Sequence, residues 1–236
     1  MMLNFMPVFD TKIAEWIKTS LEKPWSRQSD RNYVASIIPK GFPDYARILH
    51  PAYSNQDMKE IKWAEIADIL SCKAHPQMQW HKIAQFEGSN SMFERITPPF
   101  TGNLPERQAK VLSYILRKYT NTPEECYFAI WDGWNFSGEK PWTEAVLLKL
   151  GDRNYYLVKG SIDCAQKSIS PLFWQSASLW WPKDRSWCVA TDIDLMCTYV
   201  GASIPCIEEI LADKRVEAFR TCPDHRVDSE GDKINI

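Results

Sequence analysis

Apolar residues that recur every three or four positions predict helices along the chain. The predicted helices span residues 10–22, 62–72, 106–119 and 204–212. In the first of them, Ile13, Trp16 and Leu21 fall on one face, which is the spacing of an amphipathic helix. Asp10 precedes this helix and is suited to cap its first turn, while Pro205 stands in the first turn of the last helix, where a missing N–H costs least.

Short apolar runs bounded by Gly, Pro, Asn or Asp predict strands, most of them in the second half of the chain. The predicted strands span residues 33–38, 45–49, 127–131, 145–150, 155–158 and 187–195. Gly151 and Asp152 separate two of these runs and predict a hairpin.

The order of these elements predicts an α+β fold. We expect a single domain over residues 1–222, in which a helix-rich N-terminal half packs on a mainly antiparallel sheet from the C-terminal half. Residues 223–236 are polar and acidic, and we expect them to form a flexible tail.

Composition narrows the class of protein. The 236 residues are 44% hydrophobic and 25% charged, as in soluble globular proteins, and the net charge is −2. This balance argues against a nucleic-acid or membrane-surface binder, and no apolar run is long enough to span a bilayer. The chain begins without the basic and apolar pattern of a signal peptide. Seven cysteines with no C-x-x-C pair predict free thiols in the cytoplasm.

No motif for a cofactor or a metal is present. The chain lacks the glycine-rich nucleotide signatures and the G-x-S-x-G and H-E-x-x-H patterns, so we expect no cofactor. His75 and His81 are six residues apart and would lie on different faces of a helix, which argues against a shared metal ion.

The distribution of the 11 Trp residues is the most unusual feature of the composition. Trp131-Asp132-Gly133-Trp134 follows a predicted strand, with Phe136 and Trp142 beyond it, and a second group contains Trp174, Trp180, Trp181 and Trp187. Such indoles either fill a core or form a stacking surface for sugars, bases or a partner protein. Because Pro182 and a charged turn follow Trp180 and Trp181, we expect at least one of these two indoles to be exposed or to line a cleft.

Five further polar residues are candidates. Asp192 and Asp194 project from the same face of a predicted strand and need a cation, for which Arg185 is the expected partner. They form a structural charge cluster, the wall of a binding site or, as Asp-x-Asp does in some enzymes, a metal-binding pair. Arg47 and His50 would face one pocket if their segment were helical, whereas His50 at a chain bend more often serves a structural hydrogen bond.

Several longer motifs together resemble a family of uncharacterised bacterial proteins of about this length. The motifs are Tyr-Ala-Arg-Ile-Leu-His-Pro-Ala at 45–52, Trp-Ala-Glu-Ile-Ala at 63–67, His-Pro-Gln-Met-Gln-Trp at 75–80, Phe-Ala-Ile-Trp-Asp-Gly-Trp at 128–134, Leu-Trp-Trp-Pro-Lys-Asp-Arg-Ser-Trp-Cys-Val-Ala-Thr-Asp-Ile-Asp at 179–194 and Thr-Tyr-Val-Gly at 198–201. The resemblance covers about residues 33–222. It implies a bacterial cytoplasmic protein and brings no assigned activity.

We therefore expect a binding protein that uses a Trp-lined surface to hold another protein, in the manner of immunity or regulatory proteins. The alternative is an enzyme that acts on a small polar or sugar-like substrate in a pocket lined by Trp, Asp and Arg; a carbohydrate-binding module is a third class. An enzyme should have a closed concave pocket, whereas a protein binder should have a flatter aromatic patch. The residues expected at the site are Trp131, Asp132, Trp134, Trp180, Trp181, Arg185, Asp192, Asp194, Arg47 and His50.

Overall fold

A computed structural model describes residues 5–22, 24, 32–84, 94–134 and 144–235. The described residues form five α-helices and twelve strands, so the fold is α+β as predicted. The helices are α1 (Glu15–Ser20), α2 (Trp63–Ile69), α3 (Trp80–Ala84), α4 (Glu106–Leu116) and α5 (Ile204–Ala212). Within the described ranges, no helix has both the length and the apolar character needed to cross a membrane.

Nine of the strands form one antiparallel sheet in the order β1-β8-β6-β9-β10-β11-β2-β12, with β7 beside β1 on the outer edge of β8. Its strands are β1 (Met6–Pro7), β2 (Asp44–Leu49), β6 (Cys126–Trp131), β7 (Leu147–Leu150), β8 (Arg153–Gly160), β9 (Leu179–Pro182), β10 (Cys188–Ala190), β11 (Cys197–Ala202) and β12 (Glu217–Thr221). A small second sheet consists of β3 (Ala52–Ser54), β4 (Glu60–Ile61) and β5 (Ile96–Thr97). The predicted hairpin joins β7 to β8, and Gly151 occupies the left-handed region at φ 59° that its turn requires.

Both faces of the large sheet are covered. Helices α1, α2 and α3 pack on one face, called here the α1 face, and helices α4 and α5 pack on the other, called the α4 face. Because side chains alternate along a strand, each central strand supplies both cores. In β9, Trp181 enters the core on the α1 face and Trp180 enters the core on the α4 face.

The predicted halves differ from the observed arrangement. Strand β2 comes from the N-terminal half and pairs with both β11 and β12, so the chain does not divide into a helix-rich half and a strand-rich half. The predicted strand at residues 33–38 is a short 3₁₀ helix, Val34–Ser36, whose first turn is stabilised by a hydrogen bond from the N–H of Tyr33 to the Ser36 hydroxyl at 3.1 Å. The predicted strand at 187–195 ends at Ala190, where the chain turns.

The C-terminal residues are packed against the domain, in contrast to the expected flexible acidic tail. The N–H of Val227 donates to the carbonyl of Asn32 at 3.0 Å, and the Val227 side chain is buried. Asp232 is also buried: it accepts hydrogen bonds from His75 Nε2 at 2.9 Å and from the N–H of Gln79 at 3.2 Å. The acidic composition was misleading because these carboxylates satisfy buried donors instead of facing water.

Removal of residues 227–236 should therefore destabilise the protein. The truncation exposes the apolar contacts of Val227, worth about 1.5–3 kcal/mol, and leaves the Gln79 and Lys73 N–H groups without their acceptors, at about 1–3 kcal/mol each. We expect the melting temperature to fall by at least about 7 °C in a thermal unfolding experiment. Lys233→Ala, at an exposed position, is the control and should change nothing. A fall of less than about 4 °C on truncation would contradict the observed packing.

Replacement of Trp181 by alanine should cost about 3–5 kcal/mol of unfolding free energy, as expected for a core indole. Its side chain is 0% exposed and stacks on Tyr127 at 5.9 Å between ring centroids. Denaturant unfolding measures the cost, and Phe173→Ala at an exposed position is the matched control. A loss below about 1 kcal/mol would mean that the indole is not part of the core.

Candidate functional site

The residues predicted for the site do not form a single concavity. Trp180 and Trp181, expected to contribute an exposed indole, are both buried. Their strand, β9, lies between β6 and β10, beside the strand that carries Trp131. However, both faces of β9 are covered, so neither indole reaches solvent.

Trp131, Asp132 and Trp134 lie where β6 ends. The two indoles contact edge to face, with ring centroids 5.6 Å apart, and Trp131 packs against the core of the α1 face. The N–H of Asp132 donates to the carbonyl of Asn154 at 3.0 Å, which extends the pairing with β8. Phe136 and Trp142, predicted to accompany them, lie outside the described residues.

Asp192 and Asp194 bind a cation, but the cation is Arg153 of β8. The Arg153 guanidinium donates to Asp192 and, through Nη2 at 2.6 Å, to Asp194. The expected partner, Arg185, lies in the turn between β9 and β10, whereas Asp192 follows β10 at the opposite end of these strands. Burial raises the pKa of Asp192, and Arg153 opposes that effect. The adjoining cavity is about 30 Å³, enough for a single water molecule, so this group is a structural ion cluster.

His50 is also structural. Nδ1 lies 2.7 Å from the carbonyl oxygen of Phe100, so it must carry the proton, and Nε2 accepts from the hydroxyl of Thr198 at 2.9 Å. Thr198 is opposite Ile48 in the sheet, and Ile48 belongs to the core of the α4 face. His50 therefore does not share a pocket with Arg47, because their segment is a strand and not a helix.

Arg47 lines a cleft of about 410 Å³, which we call the Arg47 cleft. Its alternating neighbours Tyr45 and Leu49 enter the core of the α1 face, and Arg47 points the same way. The side chain is only 3% exposed. Its Nη1 donates to the carbonyls of Pro76 and Met78, at 2.8 and 2.9 Å.

Two indoles form one wall of the Arg47 cleft. Trp63 and Trp80 pack on each other with centroids 5.3 Å apart, and the Arg47 guanidinium lies 5.8 Å from the Trp63 ring. Glu217 of β12 accepts hydrogen bonds from the N–H groups of Trp63 and Ala64, at 2.7 and 2.8 Å, and so holds the first turn of α2. The Trp63 Nε1–H donates to the carbonyl of His50 at 2.7 Å. The indole wall is therefore fixed by hydrogen bonds as well as by packing.

The opposite side of the cleft comes from the C-terminal segment and from the turn before β11. Asp228 and Ser229 line it together with Asp194 and Cys197. The N–H of Asn32 donates to Asp228 at 3.0 Å, which ties the C-terminal segment to this edge. The cleft thus brings together segments that are far apart in the sequence.

The charges of the cleft are not balanced. Asp194 pairs with Arg153, and Asp228 pairs with Arg226. Arg47 forms no ion pair with any described residue, and its buried Nε lacks a hydrogen-bond partner. The lining thus holds two paired carboxylates and one buried guanidinium without a carboxylate partner, and because burying an unpaired cation is costly, Arg47 is the group with which an anion would pair.

Arg47 was predicted as a site residue on the assumption that its segment is helical, whereas it lies in a strand. Trp63 and Trp80 were not predicted as site residues. The useful signal was the alternation of Tyr45, Arg47 and Leu49, because a period of two places the arginine among inward-facing apolar residues. The indole partners carry no comparable signal, since both come from separate helices that only the tertiary structure brings together.

Metal binding and disulfide pairing each require a particular grouping of side chains in the described ranges. There, no group of three or more His, Cys, Asp or Glu side chains is arranged to hold a metal ion. All seven cysteines are free, as predicted. In the cleft, the Cys197 thiol hydrogen-bonds the Tyr199 hydroxyl at 3.6 Å.

The buried imidazole of His50 should make stability depend on pH. Burial lowers its pKa to about 4, from 6.5 in the unfolded chain. The unfolded protein therefore takes up this proton first, and stability falls as the pH drops from 6.5 towards 4. Between pH 7 and 4.5 we expect the wild type to lose about 2–3 kcal/mol more than His50→Gln in denaturant unfolding. Equal losses in the two proteins would contradict the assignment.

Comparisons with models of protein families, with curated proteins and with solved structures find no match to the chain.

Proposed function

We propose that the chain is a binding protein whose ligand is a small anion with a flat apolar part, held in the Arg47 cleft. The observation that carries the proposal is the buried guanidinium of Arg47, which lines the cleft without a counter-ion. A carboxylate or phosphate on the ligand would supply that charge and accept hydrogen bonds from the guanidinium.

A purely structural role for Arg47 accounts for only part of its geometry. Its bonds to the carbonyls of Pro76 and Met78 use Nη1 and help to shape the segment before α3. They leave Nε unpaired and the net charge uncompensated. The paired arginine of the same fold, Arg153, contacts two carboxylates, which is the arrangement that a structural role predicts.

Size and shape favour a small molecule. The volume of about 410 Å³ lies within the usual range of roughly 300–1,000 Å³ for ligand pockets. The indoles of Trp63 and Trp80 offer an apolar wall beside the cation, a combination that suits an anion attached to a ring.

Binding is favoured over catalysis because the cleft holds charge without assembling reactive groups. Its carboxylates, Asp194 and Asp228, are each engaged with an arginine. The hydrogen bond of the Cys197 thiol goes to a tyrosine hydroxyl and not to a base. For the cleft to act as the active site of an enzyme, Asp194, Asp228 or Cys197 would have to break its present hydrogen bond or ion pair when the substrate binds.

The cytoplasm is the compartment that we assign to this binding protein, and seven free thiols support a reducing environment. The resemblance to uncharacterised bacterial proteins, carried by motifs at 45–52 and 179–194, supports a bacterial origin. The expected protein partner needs a surface other than Trp180 and Trp181, because both indoles are buried.

Isothermal titration with benzoate and with neutral benzamide tests the proposal on the intact chain. We expect benzoate to bind and benzamide to bind at least about tenfold more weakly, since hydrogen bonds to a charged group are worth about 1.5–3 kcal/mol. Arg47→Met should remove this difference. Equal binding of the two compounds to the wild type would contradict the proposal.

A second pair of variants avoids the risk that Arg47→Met unfolds the protein. Ser229 is exposed and lines the cleft, so Ser229→Glu adds a negative charge at the mouth without disturbing the core. Ser229→Gln is its neutral match. We expect benzoate to bind several-fold more weakly to Ser229→Glu than to Ser229→Gln. The same affinity for both variants would place the anion elsewhere.

A further inference from the structure

A second concavity, distant in sequence from the Arg47 cleft, has the character of a docking surface. It has a volume of about 480 Å³ and is lined by Lys12, Lys159 and Arg185 together with Asp10, Phe9 and Tyr127. We call it the Arg185 groove. Lys12 and Arg185 are exposed, and Phe9 is 70% exposed.

The three cations of the groove converge because of the sheet register. Lys159 in β8 pairs with Tyr127 in β6 and with Met6 in β1, which brings the N-terminal segment next to this strand end. Arg185 occupies the turn after β9, beside the same end of β6. Lys12 is the second residue of the 3₁₀ helix Thr11–Ala14, whose N-cap is Asp10.

The described part of the chain neutralises these cations only in part: the Glu125 carboxylate, which accepts from the Tyr127 hydroxyl at 3.0 Å, attracts Lys159 electrostatically. None of Lys12, Lys159 and Arg185 forms an ion pair with a described residue. Asp10 is the carboxylate of the groove lining, and its Oδ1 accepts from the N–H of Lys12 at 2.9 Å. Three cations against one carboxylate make the groove positive on a chain whose net charge is −2. The positive charge of the groove therefore favours an acidic partner.

Arg185 is held in place at some conformational cost. Its φ is 56°, in the left-handed region that favours glycine, and its guanidinium lies 5.6 Å from the centroid of the Trp16 ring. The stacking presents the charge at the groove in a defined position. A glycine would suit the turn better but would remove this charge.

We propose that the Arg185 groove binds a segment of another protein that carries Asp or Glu beside a large apolar side chain. The carboxylates complement the three cations, and the apolar side chain covers Phe9, Val8 and Ile13. A nucleic acid is disfavoured because its backbone charge would meet only three cations and a largely apolar wall.

Selection from a displayed random-peptide library tests the proposal on the full chain. Peptides that bind the double variant Lys159→Glu/Arg185→Glu, in which both changes lie at or near the surface, are removed first. The remaining library is then selected on the wild type. We expect the enriched peptides to combine Asp or Glu with Leu or an aromatic residue. Enrichment of peptides without acidic residues, or no enrichment, would overturn the proposal.

Fluorescence anisotropy of one enriched, labelled peptide gives the quantitative test. We expect at least about a tenfold loss of affinity in Lys159→Glu/Arg185→Glu, and a similar loss when salt rises from about 0.05 to 0.5 M. Arg185→Gly should weaken binding while the melting temperature stays the same or rises. Lys214→Glu, at an exposed cation outside the groove, is the matched control and should bind normally. Equal binding to all variants, or equally tight binding of a single-stranded DNA oligonucleotide, would overturn the protein partner.

Discussion

A sheet that is covered on both faces imposes one constraint on the rest of this molecule: every inward side chain of its central strands must be accommodated in a core. The side chains of adjacent residues then pack in different cores, as those of Trp180 and Trp181 do on the two sides of β9. A polar residue at such a position cannot turn to water and must find partners inside the protein. The locations of the buried arginines and of His50 follow from this requirement.

The two buried arginines meet the constraint in different ways. Arg153 at the start of β8 donates to both Asp192 and Asp194, so this cation has carboxylate partners where the strands end. Arg47 in β2 donates hydrogen bonds to two backbone carbonyls and lies over the face of the Trp63 ring, but it has no carboxylate partner. Burial of a cation is costly for both arginines, and only Arg153 has carboxylate partners. This difference is the basis for proposing a binding role for Arg47 and a structural one for Arg153.

The Arg47 cleft depends on elements that the sheet does not contain. Helix α2 contributes Trp63, held by Glu217 of the last strand, and the C-terminal segment closes one side through Asp228 and Asn32. The segment stays in place because Asp232 satisfies buried donors near His75. Stability of the C-terminal residues and the shape of the cleft are therefore linked, whereas the Arg185 groove is built by the N-terminal segment and the opposite strand ends.

The sequence by itself determined the elements whose signals are local. The helices at 106–116 and 204–212 follow from apolar spacing, and the β7–β8 hairpin follows from Gly151 at its turn. Strand pairing, by contrast, joins distant residues and was decided only by the tertiary structure. It placed Arg153 rather than Arg185 beside Asp192, buried both Trp180 and Trp181, and folded the acidic C-terminal residues onto the domain. It also brought Trp63 and Trp80 to Arg47, because the energy of these contacts depends on neighbours that local sequence patterns do not encode.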